Sequence, residues 1–500
     1  MRWVLLTRYA NRLQIACCGF AQSIPRMPAV VMNTVRHAGN QLRFASLALF
    51  VTYLRSGLVF LSATSLYGLT LQEAEMRAMQ SSPAVQLGNL QAEQNAAQYV
   101  QAFLSWFPDI TYGSMVAFLE KSQKISHLQK QKFIYSNQFT LTQPIFSSSL
   151  LSNLQIGRII KEGGEVGKEL AINETLYLVR THYLQFGLKT QKADLENVNL
   201  AFLQKTFQDQ EVLLKSGRST QLQVAKAKAA ISHEMIQELN SKKEALKARH
   251  ELAILLRLSS AEESELVFTG FPSLDDYPIL KEKQKLLQTY LVQNTLNRDP
   301  PSTLLFKEDE TEQMVAQAKA NRPELKKSSL LVEAANAKSK ESRMQYLPEV
   351  SAFVDYGYYQ PINGQFFRQR NDWAGGIQLS WSLFDSLKRE MKSKEVAAFR
   401  KAAKLAYGFD SERLNISIRQ DLRDIEEALF IYQNAQENLY LSQKTFEESE
   451  VQHAAGSLSD LQLQDAKRFL AESEYGQSEA LAALLQKYYQ LQHDIGYSLK

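Results

Sequence analysis

An internal duplication is the sequence feature that most limits how this 500-residue chain can fold. Landmark residues of three types recur after a nearly constant interval of 238 to 240 positions, which chance does not readily produce. The matched pairs are Pro83 and Pro323, Pro108 and Pro348, Phe146 and Phe384, and Gly217 and Gly456. The sequence therefore predicts two similar structural repeats, 69–258 and 311–500, joined by a linker at 259–310.

Residues 1–68 differ in composition from both repeats and are predicted to be a leader. They contain seven Arg but no Lys, Asp or Glu, and the basic residues up to Arg43 precede a short apolar run. A basic stretch followed by such a run is the pattern of a secretory signal peptide. Met32 is the better start for this signal, and Thr64 or Gly68 is predicted to be its last residue. An Arg-rich, acid-free organellar transit peptide stays open as an alternative.

The repeats show no sign of catalytic chemistry. Of the 57 Lys and Arg, subtracting the seven in the leader leaves 50 against 53 acidic residues, so a nucleic-acid partner is not indicated. Both cysteines, Cys17 and Cys18, lie in the leader, which excludes thiol catalysis and cysteine metal sites elsewhere. The repeats contain no P-loop, dinucleotide glycine fingerprint or HExxH motif, and their histidines are scattered. We therefore expect no enzyme activity, no cofactor and no bound metal.

Each repeat has a first helix that ends before a proline, followed by two segments of alternating apolar and polar residues. The helices are predicted at 71–102 and 311–345, and the β-hairpins at 109–146 and 349–384. Alternation over about 10–12 residues is typical of a membrane-spanning strand with one face toward lipid and the other toward a lumen. The predicted lipid-facing residues are Tyr135, Phe139, Tyr356, Tyr358, Trp373 and Trp381. The predicted lumen-facing residues are Ser136, Gln138, Thr140, Thr142, Gln378, Ser380 and Ser382.

Four strands cannot close a barrel, and open strand edges do not survive in lipid. If these strands lie in a membrane, several protomers must contribute to one barrel, and three protomers supply twelve strands. Outside the leader no stretch has the length and apolarity of a membrane-spanning helix. The Lys-rich stretch 120–132 is interpreted as an external loop between the first two strands. An ordinary amphipathic hairpin packed on a soluble core is the alternative interpretation.

Long helices follow each hairpin. Residues 150–214 and 389–455 contain no proline, and apolar residues recur at alternating intervals of four and three, as in a coiled coil. This pattern is carried by Val179, Tyr183 and Phe186 in the first repeat, and by Ile418, Leu422, Ile425, Leu429 and Tyr432 in the second. Each long helix is predicted to stop at a glycine, Gly217 or Gly456, where a second helix turns back. Each repeat thus contains a helical hairpin whose tip lies far from the strands.

In this order of elements the chain resembles the outer-membrane efflux protein family, of which TolC is the type. The resemblance covers about residues 69–500. It is carried by Leu69-Thr70-Leu71-Gln72-Glu73-Ala74, by Gln143-Pro144-Ile145-Phe146, by Trp381-Ser382-Leu383-Phe384-Asp385, and by the two glycine tips. The resemblance implies a mainly α-helical homotrimer. Its coiled-coil α-barrel continues into a twelve-stranded β-barrel to which each protomer gives two hairpins.

The same resemblance implies a location and partners. The β-barrel would lie in the outer membrane, the helices would extend into the periplasm, and a periplasmic adaptor and an inner-membrane pump would dock there. The tip turns would form the periplasmic entrance, where the family carries acidic residues. The matching positions are Gly217, Thr220, Gln223, Gly456, Ser459, Gln462 and Asp465. Because glutamine occupies the acidic position in both repeats, we expect a less negative entrance than is usual in the family.

The sequence therefore predicts a passive exit duct of a tripartite efflux or type I secretion system. The alternative is a secreted or periplasmic coiled-coil scaffold or adhesin without a pore. Long coiled coils alone fit both, but a rod-like scaffold has no need of two amphipathic hairpins.

Overall fold

The computed structural model describes residues 69–126, 129–293, 305–360 and 371–496. The predicted leader lies outside the described residues. In chain order the elements are α1 (Leu71–Ser81), α2 (Pro83–Leu104), β1 (Asp109–Ser126), β2 (Gln129–Phe146), α3 (Ser148–Lys215), α4 (Gln221–Leu256), α5 (Ser260–Ser264), a 3₁₀ turn (Leu274–Asp276), α6 (Pro278–Gln293), α7 (Glu308–Asn321), α8 (Pro323–Met344), β3 (Glu349–Gln360), β4 (Asn371–Ser380), α9 (Lys388–Ala454) and α10 (Asp460–Ile495).

A proline divides the predicted first helix of each repeat into two helices. Pro83 is the first residue of α2, and Pro323 is the first residue of α8. Proline suits the first helical position because its missing N–H has no partner there, but it cannot continue a preceding helix. The predictions of single helices at 71–102 and 311–345 are therefore wrong at this point in each repeat.

The four strands form one antiparallel sheet in the order β1-β2-β3-β4. The central pairing joins the two repeats, with Phe139 opposite Tyr356. The strands differ from prediction at two places. Strand β4 ends at Ser380, so Trp381 and Ser382 lie beyond it. Strands β1 and β2 extend through most of the predicted external loop at 120–132.

The two long helices, α3 and α9, contain 68 and 67 residues. At 1.5 Å per residue each spans about 100 Å. The predicted coiled-coil residues of both helices are buried, with Val179, Ile418 and Leu429 fully so. Helix α3 packs against α4 and α10, and α9 packs against α10, which places α4 and α9 on the outside of a four-helix layer.

The segment between the repeats is anchored to helices of both. Glu426 of α9 accepts hydrogen bonds from the backbone N–H groups of Leu305 and Phe306, at 3.2 and 3.1 Å. Earlier in the segment, Phe268 lies against Gly187 of α3. The Tyr183 hydroxyl of the same helix donates to the Gly270 carbonyl at 3.1 Å.

The contact with the Phe268 ring requires glycine at position 187. A Cβ atom built there would lie 2.3 Å from the Phe268 ring, which no real packing allows. We predict that Gly187→Ala destabilises the folded protein by about 1–3 kcal/mol, since the ring and its segment must move. Thermal unfolding of the purified protein measures this.

Gly167 in the same helix provides the matched control, because no atom lies within 4 Å of its added Cβ. Gly167→Ala should raise stability by about 0.5–1 kcal/mol, since alanine favours a helix interior. Equal effects of the two substitutions would contradict the assigned contact.

Candidate functional site

The sheet has one apolar and one polar face, set by the pairing of its strands. A row of aromatic residues crosses all four strands on one face: Tyr112, Phe139, Tyr356 and Trp373. The neighbouring row on the other face contains Thr111, Thr140, Asp355 and Ala374. All four aromatic side chains of the first row are exposed. The protomer therefore presents an unburied apolar surface that needs a nonaqueous neighbour.

The strand pairing also assigns the predicted barrel residues to faces. Tyr135 and Tyr358 fall in register with the aromatic face. Gln138, Thr140, Thr142, Gln378 and Ser380 fall on the other face, together with Ser136. Trp381 lies past the end of β4, where its indole N–H donates to the Tyr346 carbonyl at 3.1 Å.

This junction contact has a counterpart in the first repeat. Gln143 donates to the Trp106 carbonyl at 2.7 Å. Gln143 and Trp381 are 238 residues apart, and their acceptors Trp106 and Tyr346 are 240 apart. Each repeat thus joins the end of its second strand to the turn before its first strand by the same kind of side-chain hydrogen bond.

The two helical tips have nearly identical backbone geometry. Gly217 and Gly456 have φ angles of +74° and +75°, in the left-handed region that glycine adopts without steric cost. Three residues after each glycine, Thr220 and Ser459 begin the next helix by accepting a backbone N–H with the side-chain oxygen. The conformation of each turn is therefore specified by its own glycine and cap.

The glutamines Gln223 and Gln462 complete these caps. The Gln223 side chain accepts the Thr220 backbone N–H at 3.1 Å, and the Gln462 side chain accepts that of Ser459 at the same distance. This reciprocal arrangement is a capping box, in which glutamine and glutamate serve equally. Asp465 accepts a hydrogen bond from Arg468 on the next turn, at 3.0 Å.

An ion pair links the tips of the two repeats. Asp460, the first residue of α10, lies 2.8 Å from Lys205 of α3. The hydrogen bond and charge of Lys205 hold the pKa of Asp460 below its usual value. Sequence analysis did not find this pair, because its two members are 255 residues apart (460 − 205) and belong to different repeats.

A buried group of ionisable side chains lies where α9, α10 and the α7–α8 junction meet α3. Asp494 accepts a hydrogen bond from the Ser417 hydroxyl at 2.6 Å and lies 3.3 Å from the Arg322 guanidinium. His493 Nδ1 is 3.2 Å from Asp494, and its Nε2 is 3.2 Å from Glu174 of the first repeat. Asp421 faces Asp494, and this residue is only 9% exposed.

Burial and the neighbouring charges shift the pKa values in this group. Burial, with the charge of Asp494, raises the pKa of Asp421 to about 7. Burial also opposes ionisation of Asp494, but hydrogen bonds from His493 and Ser417 outweigh it, and its pKa is lowered. The hydrogen bond to Asp494 raises the pKa of His493. Below about pH 7, Asp421 therefore holds a proton while Asp494 stays ionised.

The described residues also lack two other kinds of site. None of the helices described is long and apolar enough to cross a bilayer. Within the same ranges, no group of three or more His, Cys, Asp or Glu side chains is arranged to hold a metal ion.

Comparison with known proteins gives matches of family and fold. The sequence model described as "Outer membrane efflux protein" matches residues 76–256 and 314–496. Its two matched segments are offset by 238 residues at their starts (314 − 76) and by 240 at their ends (496 − 256). No curated protein sequence matches the chain.

Several solved outer-membrane channels are similar in fold. The CmeC channel of Campylobacter jejuni has a TM-score of 0.67 and 13% identity, with 88% of this chain and 90% of that chain covered. VceC of Vibrio cholerae has a TM-score of 0.64 and 13% identity, with 85% and 96% covered. The open state of MtrE from Neisseria gonorrhoeae has a TM-score of 0.62 and 14% identity, with 85% and 88% covered. At these identities the likeness concerns the fold alone.

The buried aspartates generate a prediction about pH. The folded pKa of Asp421 exceeds the value of about 4 expected in the unfolded chain, so its contribution to stability is lost as pH rises between these values. His493 acts in the same direction, since its pKa is also raised. We predict that stability falls by on the order of 2 kcal/mol between about pH 5 and pH 8. Asp421→Asn should flatten this part of the profile.

Thermal unfolding at a series of pH values measures the effect. Glu437→Gln is the matched control, because Glu437 is an exposed carboxylate on the same helix. An unchanged pH profile for Asp421→Asn would show that another group titrates.

Proposed function

The chain belongs to the outer membrane efflux protein family, whose members are exit ducts of tripartite efflux systems, and we propose how its own surfaces build that duct. Three copies assemble head to tail into a closed ring. Their sheets form a twelve-stranded barrel in the outer membrane, and their helices continue the passage through the periplasm. Both the sheet and the helical layer have open edges, and these support the proposal.

The open edges of the sheet are the first reason to expect a ring of several copies. Within the described strands, β1 pairs only with β2, and β4 pairs only with β3. The outer edges of β1 and β4 thus leave backbone donors and acceptors without strand partners, which lipid does not tolerate. Pairing β4 of one copy with β1 of the next satisfies both edges, and three copies give an even strand number in the known range. The aromatic face then contacts lipid and the polar face lines the lumen.

The helical layer, like the sheet, has one open edge in each repeat. The outer helix of the first repeat is α4, and that of the second is α9. Both outer helices carry exposed large apolar residues: Met235, Ile236, Leu239 and Leu246 on α4, and Ile416, Ile431, Tyr440 and Leu441 on α9. Packing α4 of one copy against α9 of the next removes both surfaces from water. Because the two contacting surfaces differ, this contact is heterologous. Repeating it from copy to copy gives a ring when the rotation between copies closes.

The tips then surround the periplasmic entrance of the passage. Gln223 and Gln462 cap their helices without adding negative charge, so the entrance is less acidic than the family pattern. A periplasmic adaptor and an inner-membrane pump are the partners that such a duct requires, because the duct itself has no energy source. The same duct architecture would serve a type I secretion system, where the cargo is a protein.

Conductance across a planar lipid bilayer tests the proposed function. We expect the purified wild-type trimer to form steady pores. Leu422→Pro is the matched negative control, since proline breaks the buried helix seam of α9 and should prevent trimer assembly. A folded trimer that forms no pores would contradict the duct and favour a scaffold.

The charge of the entrance can be tested separately. Gln223→Glu combined with Gln462→Glu keeps both capping boxes, since glutamate replaces glutamine in this motif, and adds two carboxylates per copy. We predict a higher preference for cations, seen as a shift in reversal potential under a salt gradient, with an unchanged unfolding temperature. Gln237→Glu, on the exposed side of α4, should shift the potential less. Equal shifts from both sites would place the tips away from the narrowest part of the passage.

A further inference from the structure

The two repeats differ in charge just below the sheet. The last turns of α8 and the first turns of α9 contain seven basic residues, listed as Lys338, Lys340, Arg343, Lys388, Arg389, Lys392 and Lys394, against Glu341, Glu390 and Glu395. The matching stretches of the first repeat, 98–104 and 149–156, contain no charged residue. The strong positive charge therefore belongs to one repeat and is not needed to build the shared fold.

An apolar surface borders this basic region on the side of the strands. Leu383 and Phe384, which join β4 to α9, are 77% and 81% exposed. Leu347, before β3, and Leu387 and Met391, at the start of α9, are also exposed. An apolar belt followed at once by lysines and arginines is the arrangement found where a protein passes from the acyl chains to the headgroups of a bilayer.

A cavity lies within the basic region, between α8 and α9. Its volume is about 490 Å³, and it is lined by Lys338, Glu341, Ser342, Gln345, Lys392, Glu395, Val396 and Phe399. The Lys338 ammonium stands 5.7 Å from the centre of the Phe399 ring. Lys392 is half exposed and lies 2.9 Å from Glu395 at the cavity mouth. The cavity thus has an aromatic and aliphatic wall, two ammonium groups, and the carboxylates of Glu341 and Glu395, which already accept hydrogen bonds from Ser152 and Lys392.

A buried hydroxyl in this cavity points to a polar ligand. Ser342 is only 3% exposed, and its Oγ has no hydrogen-bond partner in the described protein. Leaving a buried hydroxyl unpaired costs on the order of 1–3 kcal/mol. A ligand oxygen that accepts from Ser342 would remove this cost.

The matching positions of the first repeat lie where two helices pack closely, for a reason visible in their residues. Ala102 and Gly157 match Ser342 and Val396 by the repeat offsets of 240 and 239. A Cβ added to Gly157 would lie 3.0 Å from the Ala102 Cβ, so α2 and α3 approach each other closely there. In the second repeat the larger Val396 and the hydroxyl of Ser342 occupy these positions and line the open space.

We propose that this cavity binds the phosphate headgroup of an anionic phospholipid from the membrane leaflet that faces the periplasm. Lys338 and Lys392 neutralise the phosphate, and Ser342 donates a hydrogen bond to one of its oxygens. The acyl chains lie along the belt formed by Leu347, Leu383 and Phe384. This inference rests on the proposed function, since it requires the strands to lie in the membrane. Each ring of three copies would hold three such lipids.

Lipid titration of the purified wild-type trimer, followed by native mass spectrometry, tests the proposal. Phosphatidylglycerol and phosphatidylcholine are the probes, and phosphatidylglycerol should bind more tightly. Each lysine near a membrane surface changes binding about fivefold, so Lys338→Gln combined with Lys392→Gln should weaken phosphatidylglycerol binding by roughly 25-fold. Lys327→Gln, an exposed lysine of the same helix α8 far from the cavity, is the control and should change little.

Ser342→Ala separates a binding role from a structural one. Removing an unpaired buried hydroxyl should leave thermal stability equal or higher, while phosphatidylglycerol binding becomes weaker. Equal binding of the two lipids to the wild type, or an unchanged affinity in the double lysine variant, would overturn the lipid site. If the wild-type trimer conducts in a bilayer while showing no lipid preference, only this inference fails. If it neither inserts nor conducts, the proposed function fails.

Discussion

The unpaired backbone groups at the two edges of the four-stranded sheet are the constraint on which the assembly depends. A sheet with one apolar face can lie against lipid, but its edge N–H and C=O groups find no partner there. The sheet of a single protomer is therefore incomplete. The exposed apolar residues of α4 and α9 place a similar demand on the helical layer, and in the proposed ring one rotation between copies satisfies both.

Much of this fold follows from the sequence because the duplication and the residue periodicity are local signals. The strands near Phe139 and Tyr356, the long helices and the glycine turns could all be predicted, and the family assignment is confirmed. The breaks at Pro83 and Pro323 could also have been predicted, because proline does not continue a preceding helix. The extension of β1 and β2 through the Lys-rich stretch could not, since its composition is that of a solvated loop.

The ionisable groups were harder to predict, because they combine residues from distant parts of the chain. Asp421 gave one available signal: it lies between Ile418 and Leu422 in a buried helical pattern, where a carboxylate is out of place. Its partner Asp494 and the guanidinium of Arg322 come from other helices, and only the fold brings them together. The roles of Gln223 and Gln462 as caps could have been inferred from the Thr-x-x-Gln and Ser-x-x-Gln spacing. The resemblance to the family instead led to a prediction about their lack of negative charge.

The caps at the two helical tips decide how firmly the end of each helical hairpin is folded. Each turn satisfies its own backbone through a threonine or serine and a glutamine of the same tip, so neither turn relies on its neighbours to stay folded. A helical hairpin capped in this way resists fraying at its end, because its terminal N–H groups are already paired. The Lys205–Asp460 contact also joins the two hairpins near this end, but both side chains are partly exposed, so it adds little to the packing of α3 against α10 that already holds the hairpins together.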